Sequence, residues 1–390
     1  MSLSRPKLRF ETLPADALRA VLDLLPPWEI KQLSRASKQL REWSLPFLFR
    51  NVEFQFSRAG FEDLRSLLKS DARHHIICFT YTAPELLKPE ILDFNRFKSD
   101  ILTPESYAEE AKEMYDEGYG VDPSYMIIYD TLHITCEEQR SIVDEGVDYT
   151  VLSSVLGALP RLTEACLRFR WTVRGQEWLG RYVHFPHMIM PDRSCQHHIK
   201  VVSNALRRAR NGGVRAQAVN LLGFKLWARD VQQDYSLNRL SRPLTELLRF
   251  VQILRLTASH SALEVLSLCA LDIHQFDMCS AVVNYERLEG FLEGNKKSIR
   301  SIGFHNVQMI KSSHRDVEIS DLSSDVLRCM LSMSQSTPCQ AADCGCCGSR
   351  ENGWRLVLDD HLKRTPAKRK HDESITTSQQ SSDEVTPEAL

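Results

Sequence analysis

The residues best suited to chemistry fall into two clusters. His184, His187, Cys195, His197 and His198 share one short stretch, and Cys339, Cys344, Cys346 and Cys347 share another. Imidazole nitrogen and thiolate are the ordinary ligands of zinc. The first cluster fits no closed four-ligand pattern. The second lacks two well-spaced pairs joined by a rigid hairpin. The first therefore reads as an aromatic-rich insertion, Trp171–His198, carrying Trp171, Trp178, Tyr182, Phe185 and Pro186. With Arg170 and Arg174 it holds residue types enriched in binding hot spots. The second reads as a thiol-rich loop within 334–350, with a zinc knuckle as the alternative. Glu105, Glu109, Glu110, Glu113, Asp116 and Glu117 crowd a third stretch, Pro104–Glu117, which reads as a solvated helix. There is no Gly-rich phosphate loop, no Gly-x-Ser-x-Gly elbow and no His-Glu-x-x-His motif. No catalytic residue, cofactor site or metal site is assigned, and the expectation is a protein that is not an enzyme.

The totals bound the class. The chain has 390 residues, 43% hydrophobic and 26% charged, as in ordinary globular proteins. Its formal net charge of -2 argues against a nucleic-acid partner. No apolar run approaches the roughly eighteen residues of a membrane span, so no membrane partner is expected. Met1–Arg9 lacks the apolar core of a secretory signal. The 11 cysteines are then read as reduced thiols in cytoplasm or nucleus.

The elements are clearest in Leu13–Asn51. Pro14 suits a first helical turn. Leu18, Val21, Leu22 and Leu25 then recur at helical spacing, and Pro26-Pro27 stops that helix. A second helix near Trp28 carries Ile30, Leu33, Ser37 and Leu40 on one face. Pro46 breaks the chain again before an apolar plug, Phe47-Leu48-Phe49. A unit this small holds more apolar residues than it can bury alone. Something else must cover part of it. The basic stripe Lys31, Arg35, Lys38 and Arg41 would suit a helix-turn-helix, but it is read as a solvated face because Glu29 and Glu42 flank it.

Leu13–Arg50, with Ser34–Arg41 and Pro46–Arg50 in order, resembles the F-box family. The alternating Asn51–Phe56 is similar to the first strand of fungal F-box proteins with a leucine-rich-repeat-like C-terminal part. The resemblance implies a three-helix unit that binds the Skp-type adaptor of a cullin–RING ubiquitin ligase. It implies that Leu13, Pro14, Leu18, Val21, Leu22, Ile30, Leu33 and Leu40 form or support the adaptor surface. A helical cap on a larger domain is the plainer alternative.

Further along, Phe61–Leu68 reads as a helix and Ile76–Tyr81 as a buried strand. Asp116–Asp130, with Gly118-Tyr119-Gly120, reads as a mobile connection. Tyr149–Leu159 is a helix, and Pro160–Phe169 a turn and strand. This helix-then-strand theme returns at Ser261–Leu268 and at Leu288–Phe304, and Leu247–Leu256 supplies another strand. Units of this kind bury their faces by stacking into a solenoid. They resemble degenerate leucine-rich repeats, though their spacing is irregular; an irregular α/β domain is the alternative. Trp354–Leu358 reads as the strand closing the last edge. Lys363–Asp372 is a basic block, resembling a nuclear-import signal at Pro366–Lys370, and the rest is polar to Leu390.

The expected architecture is α+β. Residues 1–55 form an F-box-like helical unit, and 56–147 a connecting region with an acidic helical excursion. Residues 148–362 form a leucine-rich-repeat-like α/β solenoid, and 363–390 a disordered tail. The expected function is substrate recognition in an SCF-type cullin–RING ligase, with the adaptor and an unidentified protein target as partners. The alternative is a ligase-independent leucine-rich-repeat scaffold in the nucleus.

Overall fold

The structure is a computed structural model that describes residues 13–116, 123–170, 179–182, 185–225, 234–259, 262–269, 271–310, 316–317, 337–338 and 353–357. The Cys339–Cys347 cluster, Trp171–Trp178, His184, Gly118–Gly120 and the basic block from Lys363 lie outside them. The described chain mixes helix and strand, with an N-terminal helical stretch followed by a mainly parallel sheet, in keeping with α+β.

Three helices open it: α1 Ala15–Leu24, α2 Pro27–Ala36 and α3 Lys38–Leu48. Pro14 sits one position before the first turn of α1, and its carbonyl accepts the Leu18 N–H at 3.0 Å. Pro27 occupies the first turn of α2, where a missing N–H is harmless. Two expectations fail here. The second helix does not run through Ser37: the backbone there is extended, and the Ser37 hydroxyl accepts the Leu40 N–H at 3.2 Å. Serine favours this capping geometry over a helix interior. Pro46 does not break the chain either, because it falls in the last turns of α3, and Phe47 and Leu48 are helical. Leu18, Leu22, Ile30 and Leu40 form a small core of their own, flanked by Leu13, Leu25, Leu33, Trp43, Phe47 and Leu48.

The sheet begins at β1 Asn51–Gln55 and continues through β2 Cys78–Pro84, β3 Glu164–Arg170, β4 Ala218–Leu222, β5 Ile253–Thr257, β6 Gln275–Asn284 and β7 Ser301–Ile310. Each of these strands pairs in parallel with the next in the chain. Three antiparallel strands follow, β8 Asp316–Val317, β9 Thr337–Pro338 and β10 Gly353–Val357. β10 pairs with β7 and β9 lies outside it, so Gly353–Val357 is not the closing edge.

Register puts the sequence's alternation to use. Val52, Phe79, Ala165, Val219, Leu254, Phe276 and Ile302 form one cross-strand row, and Phe54, Tyr81, Leu167, Leu221, Leu256, Met278 and Phe304 the next. Both rows face the helices in one continuous core. The helices are α4 Arg58–Leu68, α8 Val147–Gly157, α11 Pro191–Asn211, α12 Asp234–Leu248, α13 Ala262–Leu266 and α14 Tyr285–Asn295. A parallel sheet with helices on both faces reads as near-continuous apolar runs. Here the alternate positions are mostly polar, and among the described residues the helices of the main core pack on the apolar face.

Residues 56–147 do more than connect, since they supply α4 and β2 to this sheet and core. They also build much of a second cluster from the helical turns Pro89–Leu92 and Phe97–Ile101 on either side of α5 Phe94–Arg96, with α6 Pro104–Asp116 and α7 Tyr125–Asp144, joined by α9 Leu179–Tyr182 and α10 Phe185–Met188. Ile91, Phe97, Ile101, Ile128, Leu132, Leu179 and Met188 are buried there. Residues 125–130, expected to be mobile, are the first turns of α7. The insertion ending at His198 is not all loop, because Cys195, His197 and His198 lie on α11. Leu247–Leu256 divides between the end of α12 and β5.

Replacing Ser37 with alanine removes the α3 cap, and equilibrium denaturation should show a loss of about 1 kcal/mol, with glycine costing less. No loss with alanine would mean the cap contributes nothing.

Candidate functional site

The N-terminal helices sort the residues expected at an adaptor surface. Leu18, Leu22, Ile30 and Leu40 point inward and are buried, so they can only support such a surface. Pro14 is exposed; Leu13, Val21 and Leu33 are half-buried at the boundary. In these helices two large hydrophobic side chains outside that set are the most open. Leu24 is 85% exposed and Trp28 65%, on either side of the Leu25-Pro26-Pro27 turn. Leu24 lies off the stripe of Leu18, Val21, Leu22 and Leu25, a signal already present in the sequence.

The second surface is the sheet face away from the helices. Register aligns Glu53, Thr80, Cys166, Asn220, Arg255, Asp277 and Gly303 in one row, and Gln55, Thr82, Arg168, Leu222, Thr257, Cys279 and His305 in the next. The charges in these rows are matched. Glu53 reaches across β2 to Arg168 at 2.7 Å, stands 3.9 Å from Arg170, and accepts the Thr82 hydroxyl at 3.0 Å. Arg255 bridges Glu164 at 2.8 Å and Asp277 at 3.6 Å. Gln275 donates to Asp277 at 2.7 Å, and the Thr257 hydroxyl to Asn220 at 3.3 Å.

The electrostatics follow this pairing. Burial alone would raise the Glu53 carboxyl, but the Arg168 hydrogen bond and charge, with Thr82 and Arg170, hold it below its ordinary value. Burial would lower the Arg255 guanidinium, yet Glu164 and then Asp277 raise it instead. The thiols beside them are inert. Burial, then Glu164 and Cys166, pushes Cys78 up to about 12, and burial pushes Cys166 up to about 11. Such thiols stay protonated at neutral pH and make poor nucleophiles. Arg168, Arg170, Glu53, Glu164 and Arg255 are partly open to solvent. The face is therefore neutralised and hydrogen-bonded, with Thr82, Cys166, Asn220, Thr257, Asp277, Cys279 and His305 buried between these partly open charges.

Of the candidate metal ligands, Cys195 and His198 serve the core, while His187 on α10 is exposed. His198 is fully enclosed: its Nε2 is 2.9 Å from the Pro84 carbonyl and its Nδ1 2.8 Å from the Tyr81 hydroxyl. A carbonyl only accepts, so Nε2 carries the proton and Tyr81 donates to Nδ1. Burial, then His197, drives its pKa down to about 3 against the opposing pull of the Pro84 carbonyl. His197 contacts the buried Asp148 at 2.6 Å. Cys195 is buried in the main core. Among the described residues no three His, Cys, Asp or Glu are grouped to hold a metal ion. Among them, too, no helix is long and apolar enough to cross a membrane.

Two predictions follow from these contacts. A Cβ on Gly303 would stand 2.6 Å from the Asp277 Oδ1, so Gly303→Ala must displace a buried carboxylate from Arg255. The variant should lose about 1–3 kcal/mol in urea denaturation. It should also combine less than additively with Asp277→Asn, and a neutral Gly303→Ala would refute the packing. For His198, the unfolded ring titrates near 6.5 and the folded one near 3. Unfolded chain therefore binds an extra proton as pH falls through that window. The stability this ring contributes is complete above about 6.5 and declines below it, approaching about 1.4 kcal/mol per pH unit. His198→Gln should flatten the pH 6.5-to-5 slope whatever it does to absolute stability; an unchanged slope would contradict the neutral ring.

No protein-family model matches the chain, and no curated protein matches it.

Proposed function

We propose that this protein is the substrate-recognition subunit of an SCF-type cullin–RING ubiquitin ligase. Its N-terminal helices form an F-box unit that docks a Skp-type adaptor. The body is a degenerate leucine-rich-repeat solenoid that holds a protein target. It performs no bond chemistry itself and supplies proximity, which the ligase converts into rate. It works in the cytoplasm or nucleus.

One observation carries the adaptor half. The three helices close a small core with Leu18, Leu22, Ile30 and Leu40 and still leave Leu24 and Trp28 in solvent. Exposed tryptophan is among the residues enriched in interface hot spots, and the solvated Leu24 beside it adds apolar area to cover. The solenoid half is supported by parallel strands that neighbour each other in chain order, with the described helices of the main core on the apolar face. Stacked repeats have that connectivity, and they bind along the strand face.

The test is direct binding of the full chain to a purified Skp-type adaptor. Leu24→Asp with Trp28→Ala should weaken it by about 2 kcal/mol or more while the melting temperature holds, since both side chains are already solvated. An adaptor that ignores the intact chain, or binds both forms alike, would leave the ligase-independent scaffold as the better reading.

A further inference from the structure

We infer that the sheet edge where the chain enters β3, β4 and β5 binds an extended acidic polypeptide segment. This goes beyond the adaptor reading and does not depend on it. The residues just before each strand are tied in a ladder: Thr163 N–H to the Ile77 carbonyl at 2.9 Å, Gln217 to Thr163 at 2.8 Å, and Gln252 to Gln217 at 2.9 Å. Two residues earlier at each step stand His75, Arg161, Arg215 and Phe250 in matching positions. Neighbouring strands are about 4.8 Å apart. Arg249 adjoins Phe250, and Arg210, from the last turn of α11, stacks 3.9 Å over the Phe250 ring. His75 senses the row, because burial, then Arg161 and His74, lowers its pKa against the opposing pull of Asp71.

The contrast with the sheet face carries the argument. There Arg168, Arg170 and Arg255 each meet a carboxylate. Along the edge, Arg161, Arg210, Arg215 and Arg249 meet none among the described residues, although Glu246 lies in the last turn of α12. All but the half-buried Arg210 are exposed. Helix C-termini favour nearby cations, which accounts for part of the arrangement. It does not account for Arg161 and Arg215 standing at matching positions before adjacent strands with Arg249 and Arg210 beside the next, a group that ends at the exposed Asp272 before β6.

The occupant follows from geometry and charge. The three steps from β2 to β5 span about 14 Å, the reach of about four residues of extended chain. Such a segment turns alternate carboxylates toward guanidiniums, which grip carboxylate in bidentate fashion. Nucleic acid fits less well. Arg210 already lies over the Phe250 ring, which removes it as a platform for a base. The chain's formal net charge of -2 also opposes a long polyanion.

The probe is a fluorescent peptide of alternating glutamate and serine, titrated into the full chain at low salt. It should bind, weaken steadily with added salt, and weaken about tenfold in the Arg161→Glu, Arg215→Glu double variant. The control Lys98→Glu, Lys112→Glu, with the same change in net charge on other exposed lysines, should bind as the unaltered chain does. Arg161→Gln, Arg215→Gln serves if charge reversal disturbs folding. Equal affinity in the edge variants would overturn the inference. So would tighter binding of an oligothymidylate of equal charge, or edge variants that only lower the melting temperature.

Discussion

Everything in the body depends on a parallel sheet whose apolar face the described helices cover. Each of β1–β7 pairs with its chain neighbour, so each intervening segment must return across the same face. That face must be apolar and the other must not be. The two apolar rows through Phe54 and Phe79 meet this demand by burial against α4, α8 and α11–α14. The rows through Glu53 and Gln55 meet it by polar side chains that satisfy each other across strands.

That second requirement shapes the chemistry of the open face. Partly desolvated charges are costly unless paired, and each of Glu53, Glu164 and Asp277 faces an arginine. Pairing in turn demands space. Gly303 is what lets the Asp277 carboxylate lie beside β7, since any side chain there would collide with it. The same logic explains why the thiols and His198 are quiet. Burial favours their neutral forms, and the hydrogen bonds of His198 suit a neutral ring. The edge of the sheet follows another rule, with Arg161, Arg210, Arg215 and Arg249 left without carboxylate partners among the described residues.

Much of this was legible in the sequence, for reasons that can be named. Pro14, Pro26 and Pro27 punctuate the first helices, and the Leu18–Leu25 stripe fixes their inner face. Helices α8 and α14 and strands β3 and β7 show clear apolar periods. Other features were hidden. Ser37 sits at helical spacing between Leu33 and Leu40, and its extended backbone and capping hydrogen bond mark a break that spacing does not show. Helix α11 buries Ile199, Val202, Ala205, Leu206 and Ala209 at helical spacing, but its histidines and Cys195 drew the eye to metal chemistry. The polar rows were invisible because each member comes from a different strand. The exposure of Leu24 and Trp28 was open to inference, since Leu24 falls outside its helix's apolar stripe.

The proposed role stands on the N-terminal helices being the place where another protein lands. Hydrogen–deuterium exchange on the full chain, with and without a saturating Skp-type adaptor, examines that claim directly. The account predicts new protection concentrated in Leu13–Phe49, strongest around Leu24 and Trp28, with β2–β7 unchanged. Protection on the sheet, or none anywhere, would contradict it.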